Sequence, residues 1–452
     1  PSFWLGLMLM LVFAVNLGWL PASGFYGPSY WILPSVAIAT IPISTITRTT
    51  RSAMLEVIRQ DYMRTARAKG LGEGAVILRH GLKNTLIPVI TVIGIQLGRT
   101  LAGSIVVENI FSVPGLGSLI VNAIYARNYP IIQGAILFCA LTFCLINLMV
   151  DILYAYIDPR IKSQYVRPKA RKRKKRRGTV WRRLKKSKTA MLGLGIIAVI
   201  VFMAVFADLV APYPYDIPDA TAIFQYPSWE HIMGTDDFGR DIFSRVIYGA
   251  RVSLVIALMS VTISIACGVT LGVTAAYFGG SYETVIMRLL DGFMAIPSLL
   301  LAISISSALG NGQRQTAIAI AISNIPTFAR VSRASVITVK ETEYVEAARS
   351  IGARNGRIIL KHILPNALSP IFVQATLSIV NAILTIAMLS FIGLGIEPPT
   401  PEWGSMLSLG RAYIRDFWPI VTFPGVMIMV TVISFNMLGD GLRDALDPRL
   451  KQ

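Results

Sequence analysis

The sequence predicts an all-α polytopic membrane protein built of two homologous halves, and three observations carry that prediction. Of the 452 residues, 54% are hydrophobic and only 15% charged, a balance far more apolar than that of a soluble chain of this length. Ten apolar runs are each long enough to cross a hydrocarbon core of about 30 Å with allowance for tilt. Residues 61–84 and 343–366 match at a constant separation of 282, an internal repeat that any architecture has to respect.

In chain order, the apolar runs 3–20 and 31–47 are separated by the uncharged, turn-rich PASGFYGPS and read as two spans joined on the outer side. Arg48, Arg51, Arg59, Arg64, Arg67 and Lys69 follow, which places the next loop in the cytoplasm by the positive-inside rule. A span over 86–107 leads out, FSVPGLGS breaks it, and a span over 133–156 returns to DPRIK at 158–162. Residues 167–188 hold 14 of the 43 Lys and Arg and no acid, so that the net charge of +19 falls to +5 outside them. A basic block between apolar spans fits a cytoplasmic linker attracted to anionic lipid. With Trp181 as its only aromatic it argues against nucleic-acid binding.

The second half adds spans over 191–209, 252–277, 289–309, 316–328 continuing toward 339, 372–394 and 418–438. A proline-rich segment at about 212–245 and the stretch EPPTPEWGSMLSLGRAYIRD are expected outside. The expected domains are therefore 1–162 with four spans, a basic linker over 163–189, and 190–452 with six, the start, the linker and the C-terminus all cytoplasmic. Against the second half the first lacks about two N-terminal spans, and Pro1 is not an initiator methionine, so a fragment or processed chain is expected. Cys139, Cys144 and Cys267 all lie inside apolar runs and read as small apolar residues rather than a disulfide framework.

The repeat is densest where the chain is least apolar. Tyr62 and Tyr344, Arg67 and Arg349, Gly70 and Gly352, His80 and His362, and Asn84 and Asn366 all differ by 282, as do Arg48 and Arg330, Arg51 and Arg333, and Pro88 and Pro370. DPRIK and DPRLK match at 289, so the second copy carries seven extra residues. Tyr344, Ala347, Ala348 and Ile351 fall at helical spacing, opposite Glu343, Glu346 and Arg349, and Gly352 stands where a left-handed residue ends a helix. The two alanines would allow a partner protein close approach. A single such helix could equally lie on the membrane surface; a matched pair points to a shared task.

Composition and motifs exclude several chemistries. No G-x-x-x-x-G-K-[ST] occurs, so any ATP must be bound by a partner. Neither His nor Cys pairs occur at ligand spacing, so no metal site and no cofactor are expected. Inside the spans the unusual residues are Gln96 and Arg99, with Glu108 nearer the outer end. A mid-membrane charge costs about 2.5–3.5 kcal/mol on insertion scales, so Arg99 should face a wet cavity or a carboxylate. Asn381 matches Arg99 at 282, and if the halves pack about an axis normal to the membrane, Gln96, Arg99 and Asn381 would flank a translocation path. A structural polar pair, or snorkelling of Arg99, is the alternative. Asp291 beside Arg288 reads as a local ion pair, and Gly268 and Gly272 as a close helix contact.

Both repeated stretches resemble the cytoplasmic EAA loop of permease subunits in bacterial binding-protein-dependent ATP-binding-cassette importers. Residues 346–348 spell Glu-Ala-Ala, whereas Arg64, Thr65 and Ala66 depart from it in two of three positions. More specifically, residues 1 to about 162 (PSFWLG, LPASG, QDYMRTARAKGL, PGLGSLI, DPRIK) resemble the C-terminal part of one permease of the dipeptide, oligopeptide and nickel importer group. Residues from about 178 (MGTDDFGRDIFSRVIYGAR, EYVEAARSIGA, LSFIGLG, PEWGSML, DGLRDALDPRLK) resemble the whole of its partner permease, so that the chain looks like a fusion. The resemblance implies the type I importer permease fold in the bacterial inner membrane and transport of di- or oligopeptides, with nickel or another small solute as the alternative cargo. It implies no enzymatic activity of the chain's own. The implied partners are ATPase subunits, an external solute-binding protein, a second permease chain and the bilayer. By position in the motif, Tyr62, Thr65, Ala66, Arg67, Gly70, Tyr344, Glu346, Ala347, Ala348, Arg349 and Gly352 would contact the ATPases. Competing classes are an ATP-independent transporter and a membrane scaffold acting through its basic linker.

Overall fold

A computed structural model describes residues 1–157 and 179–446. The basic stretch 167–178 and the two DPR motifs lie outside the described residues. The chain divides into two compact units, one of Ser2–Lys169 with Ala295–Pro297 and one of Ala170–Met294 and Ser298–Gln452 with Pro1. Among the described residues every regular element is a helix, beside an isolated β-bridge between Thr235 and Asp241.

In the first unit, α1 (Ser2–Leu9) runs on as a π-helical turn over Met10–Asn16, followed by α2 (Ser29–Ile58), α3 (Asp61–Ala68), α4 (Lys83–Phe111), α5 (Leu116–Tyr125) and α6 (Tyr129–Ile157). Pro34, Pro42 and Pro88 sit inside α2 and α4. Proline is tolerated inside spans because neighbouring groups and local adjustments re-satisfy the freed carbonyls. Ser112, with φ +52°, ends α4 in a left-handed cap, and α5 starts four residues later.

In the second unit the order is α7 (Lys188–Val205), α8 (Ile242–Phe278), α9 (Gly280–Met294), α10 (Ser298–Leu309), α11 (Gln313–Lys340), α12 (Glu343–Ser350), α13 (Leu364–Phe391), α14 (Trp403–Gly410) and α15 (Pro419–Leu446). The pairing of α8 with α11 is its backbone. A Cβ at Gly268 would stand 2.7 Å from Ile325 O and from Phe328 Cβ, and one at Gly272 would collide with Ala329 O and Ser332 Oγ. Two small residues one turn apart thus bring the helices into backbone contact, as their spacing predicted. Gly272→Leu should therefore cost about 1–3 kcal/mol or more by overpacking, read as a lower thermal unfolding midpoint in detergent.

Among the described residues six helices are long and apolar enough to cross a membrane, and up to nine if each bent pair counts as one span, against the ten expected. Of the expected spans, 3–20 falls on Ser2–Asn16, which is shorter than a full span, 86–107 and 289–309 fall in bent pairs, the latter two helices meeting at 86°, and Gln313–Lys340 is not among the nine. The bent pair Ser104–Phe111 with Leu116–Tyr125 was not expected as a separate span. Asp291 pairs with Arg330 at 2.5 Å, not with Arg288, which corrects the local pairing expected from sequence. Arg333 Nε donates to Glu283 Oε1 at 2.6 Å, so two ion pairs tie α9 to α11.

Candidate functional site

The two short helices that follow α2 and α11 are built alike. Each begins directly after a long helix, at Asp61 or Glu343, where an acid in the first turn complements the helix dipole. Each ends before a glycine in the left-handed region, Gly70 at φ +78° and Gly352 at φ +76°. Neither glycine has a neighbour within 4 Å of a built Cβ, so conformation rather than space demands glycine there. After both, the chain takes a π-helical turn, over Val76–Leu82 and Ile358–Ile363, again 282 residues apart. Such turns recur at functional positions.

Burial separates the residues into two groups. Met63 and Ala66 are buried against Val76, Val57 and Ile58. Val345 and Ala348 are buried in a larger cluster with Val273, Ala276, Val336, Val339, Ile358, Ile363 and Ala367. Tyr62, Thr65, Tyr344, Glu346, Ala347, Arg349 and Gly352 are exposed, as is Gly70, while Arg67 is half-buried. The apolar stripe expected on α12 is therefore split. Ala348 faces inward with Val345, whereas Tyr344, Ala347 and Ile351, the last 85% exposed, form the open face. Ala66 and Ala348 are buried within their own unit. Met63 and Val345 are anchors that spacing alone did not single out.

The polar braces differ between the copies. Arg67 Nε donates to Glu73 Oε1 at 2.6 Å, and Asn84 Nδ2 donates to Tyr62 Oη at 3.0 Å. At the position matching Glu73 stands Asn355, whose Oδ1 accepts from Tyr277 Oη at 2.8 Å, and the Arg349 guanidinium lies 5.9 Å from the centre of the Tyr277 ring. Lys340 Nζ caps Ala276 O at 2.7 Å. The second short helix is thus fastened to the end of α8 by the Arg349 cation–π contact, and the first to the chain that follows it by the Arg67–Glu73 ion pair and the Tyr62–Asn84 hydrogen bond.

A buried polar network that no spacing in the sequence marks lies at the start of α8. Asp236 Oδ1 accepts from the backbone N–H groups of Phe238 and Arg240, both at 2.9 Å, while its Oδ2 accepts from Arg240 Nε at 2.8 Å and lies 3.4 Å from Arg245 Nε. Arg245 Nη1 donates onward to Tyr215 O at 2.7 Å and Pro399 O at 3.4 Å. His231 Nδ1 lies 3.0 Å from Asp241 Oδ1, while Asp241 Oδ2 accepts from Ser244 N and Oγ. Here aspartate is the middle member, so serine and histidine do not meet and the trio is structural. Burial, then the neighbouring Asp236, pushes the Asp237 carboxyl above its ordinary value.

Gln96 is buried on α4 and Asn381 exposed on α13, its carbonyl accepting from Thr385. The Arg99 side chain lies outside the described residues. His80 and His362 are half-buried within the π turns, and among the described residues no group of three or more His, Cys, Asp or Glu could hold a metal ion.

Residues 1–163 and 268–452 match the family described as binding-protein-dependent transport system inner membrane component, and residues 177–227 match the N-terminal TM domain of oligopeptide transport permease C. The chain is 49% identical over 271 residues to a dipeptide transport system permease protein DppC of Alkalihalophilus pseudofirmus, covering 60% of this chain and 89% of that one. It is 46% identical over 277 residues to a di/tripeptide transport system permease protein DppC of Pseudomonas aeruginosa, covering 60% and 91%. A glutathione transport system permease protein GsiD of Escherichia coli is 44% identical over 277 residues, covering 60% and 90%.

Proposed function

This chain belongs to the family of binding-protein-dependent transport system inner membrane components, and on that premise we propose that it is a permease of an ATP-driven importer of di- or oligopeptides. Peptide is named for two relatives and glutathione, itself a tripeptide, for a third, which favours peptide over nickel as cargo. An external solute-binding protein delivers the cargo, separate ATPase subunits supply the work, and a second permease chain is a further candidate partner. The EAA-type helices α3 and α12 face the cytoplasm with the basic linker, and the proline-rich segment before α8 faces outward.

The observation that carries this reading is the matched pair of short helices. Each is anchored by two buried side chains, stopped by a left-handed glycine and open on its remaining face. Closure of the ATPases would move both helices and bias the spans between two states, provided the anchors transmit the motion. Gln96, Arg99 and Asn381 stay as candidate path residues on their respective spans.

Cysteines at Thr65 and Ala347 should crosslink to the ATPase subunits in intact membranes, and cysteines at the buried Ala66 and Ala348 should not. Proteoliposomes with binding protein outside and ATP inside should take up dipeptide. Uptake driven by an ion gradient without any ATPase would overturn the reading, and uptake of Ni²⁺ in preference to peptide would overturn the cargo. Loss of transport on deleting 167–177, with the short helices indifferent to mutation, would instead make the chain a scaffold.

A further inference from the structure

The spans α4 and α13 each carry a second short helix at the end away from the π turn, α5 and α14, and the two dock in the same way. A Cβ on Gly117 would strike the backbone of Ile105, and one on Gly404 the backbone of Ala387. Ile105 and Ala387 are 282 apart, whereas Gly117 and Gly404 are 287 apart, because five of the seven extra residues fall in the loop between. Pro114 and Pro401, and Ser118 and Ser405, share that second offset.

At both sites one carboxylate accepts the first free amides of the short helix, but its owner differs. Glu108, on the span, accepts through Oε2 from Gly117 N at 2.7 Å and Ser118 N at 3.2 Å, and through Oε1 from Ser104 Oγ at 3.0 Å. Glu402, the N-cap of the short helix itself, accepts through Oε2 from Gly404 N at 2.8 Å and Ser405 N at 3.0 Å, and through Oε1 from Ser253 Oγ of α8 at 3.3 Å. The positions are exchanged: Glu108 matches Ser390, which hydrogen-bonds the Glu402 carboxylate, and Glu402 matches Gly115, where a Cβ would occupy the place of the Glu108 carboxylate. The carboxylate has kept its place in space while moving from span to helix.

We propose that Glu108 and Glu402 are one functional element, a carboxylate latch that makes each short helix move as one body with its span, so that displacement at the ATPase-coupling end reaches the opposite end. About 36 Å of helix separates Asn84 from Glu108, and Asn366 from Ser390. Without the latch, two amides at the mouth of the short helix lose a charged acceptor, and the helix is free to lag behind its span. Both glutamates are positioning residues, and their role in transport rests on the importer reading above.

The test moves the latch. Glu402→Gly should speed amide exchange at Gly404 and Ser405 at least tenfold in the purified full chain, and raise the ATP hydrolysed per peptide imported when ATPases and binding protein are added. Ser390→Glu with Glu402→Gly, which copies the arrangement of the first half, should restore both. Glu108→Ser, and Glu108→Ser with Gly115→Glu, should behave in the same way at Gly117 and Ser118. Should Glu402→Gly alone fail to accumulate, recovery of insertion by the double variant supports the latch and failure of both overturns it. Double variants no better than singles overturn it, as does restored protection with an unchanged hydrolysis-to-import ratio in every variant. A wild-type chain that imports no peptide would defeat the importer reading, and the exchange data would still report on the latch itself.

Discussion

Gly352→Pro is expected to leave the chain inserted and the ATPases hydrolysing while peptide import is lost. Proline holds φ near −65°, and the backbone at 352 sits at +76°, so no small adjustment reconciles them. The empty space around the position means the effect would not come from a clash with neighbours. What changes is the direction in which the chain leaves α12 toward the π turn at Ile358–Ile363 and so into α13. Gly352→Ala supplies the graded control: a left-handed alanine costs about 1–2 kcal/mol and should weaken coupling without abolishing it. Ala347→Glu, on the exposed face, should uncouple at no cost in folding, because no packing is lost there. The measurement is ATP hydrolysed per peptide imported, at matched levels of inserted protein. A wild-type ratio in Gly352→Pro would remove α12 from the coupling path.

The repeat made much of this legible beforehand. A constant offset located both short helices, both terminating glycines and the paired positions on the spans, because register survives substitution. Which face each helix shows was not legible. Helical spacing identifies an apolar stripe through Tyr344, Ala347, Ala348 and Ile351, but only the packing of α8, α11 and α13 decides that Ala348 is covered and Ile351 is not. Helices α5 and α14 were hidden for a different reason. PGLG and PPTPEWG read as breaks, and the capping carboxylate that turns a break into a helix start lies six residues before Pro114 in one copy and at the cap itself in the other. The partner of Asp291 was likewise out of reach, since Arg330 lies 39 residues away on another helix.

Asp236→Ala is expected to be the most destabilising single change in the proline-rich segment. The carboxylate is buried beside two nearly buried guanidinium groups, Arg240 and Arg245, and holds the amides of Phe238 and Arg240. Removing it strands charge that burial keeps from water, a change that costs about 3–5 kcal/mol when a buried pair is broken. Asp236→Asn should fall between, since an amide oxygen still serves the two N–H groups but does not balance the arginines. The loss would not stay local. Arg245, aligned by Asp236, is also the donor to Tyr215 O and Pro399 O, and Pro399 lies in the loop that leads to Glu402. On the far side of the segment, Tyr226 donates to Asp416 O at 2.9 Å and Phe224 packs on Tyr413 and Phe417. Asp236→Ala should therefore expose 212–241 to protease and speed exchange at Gly404 and Ser405 in the same preparation. Crosslinking from Ala347, on α12, should stay at its wild-type level. Proteolysis without faster exchange would show that Arg245 does not carry order from the segment to the helix; faster exchange with intact 212–241 would show that it carries nothing else.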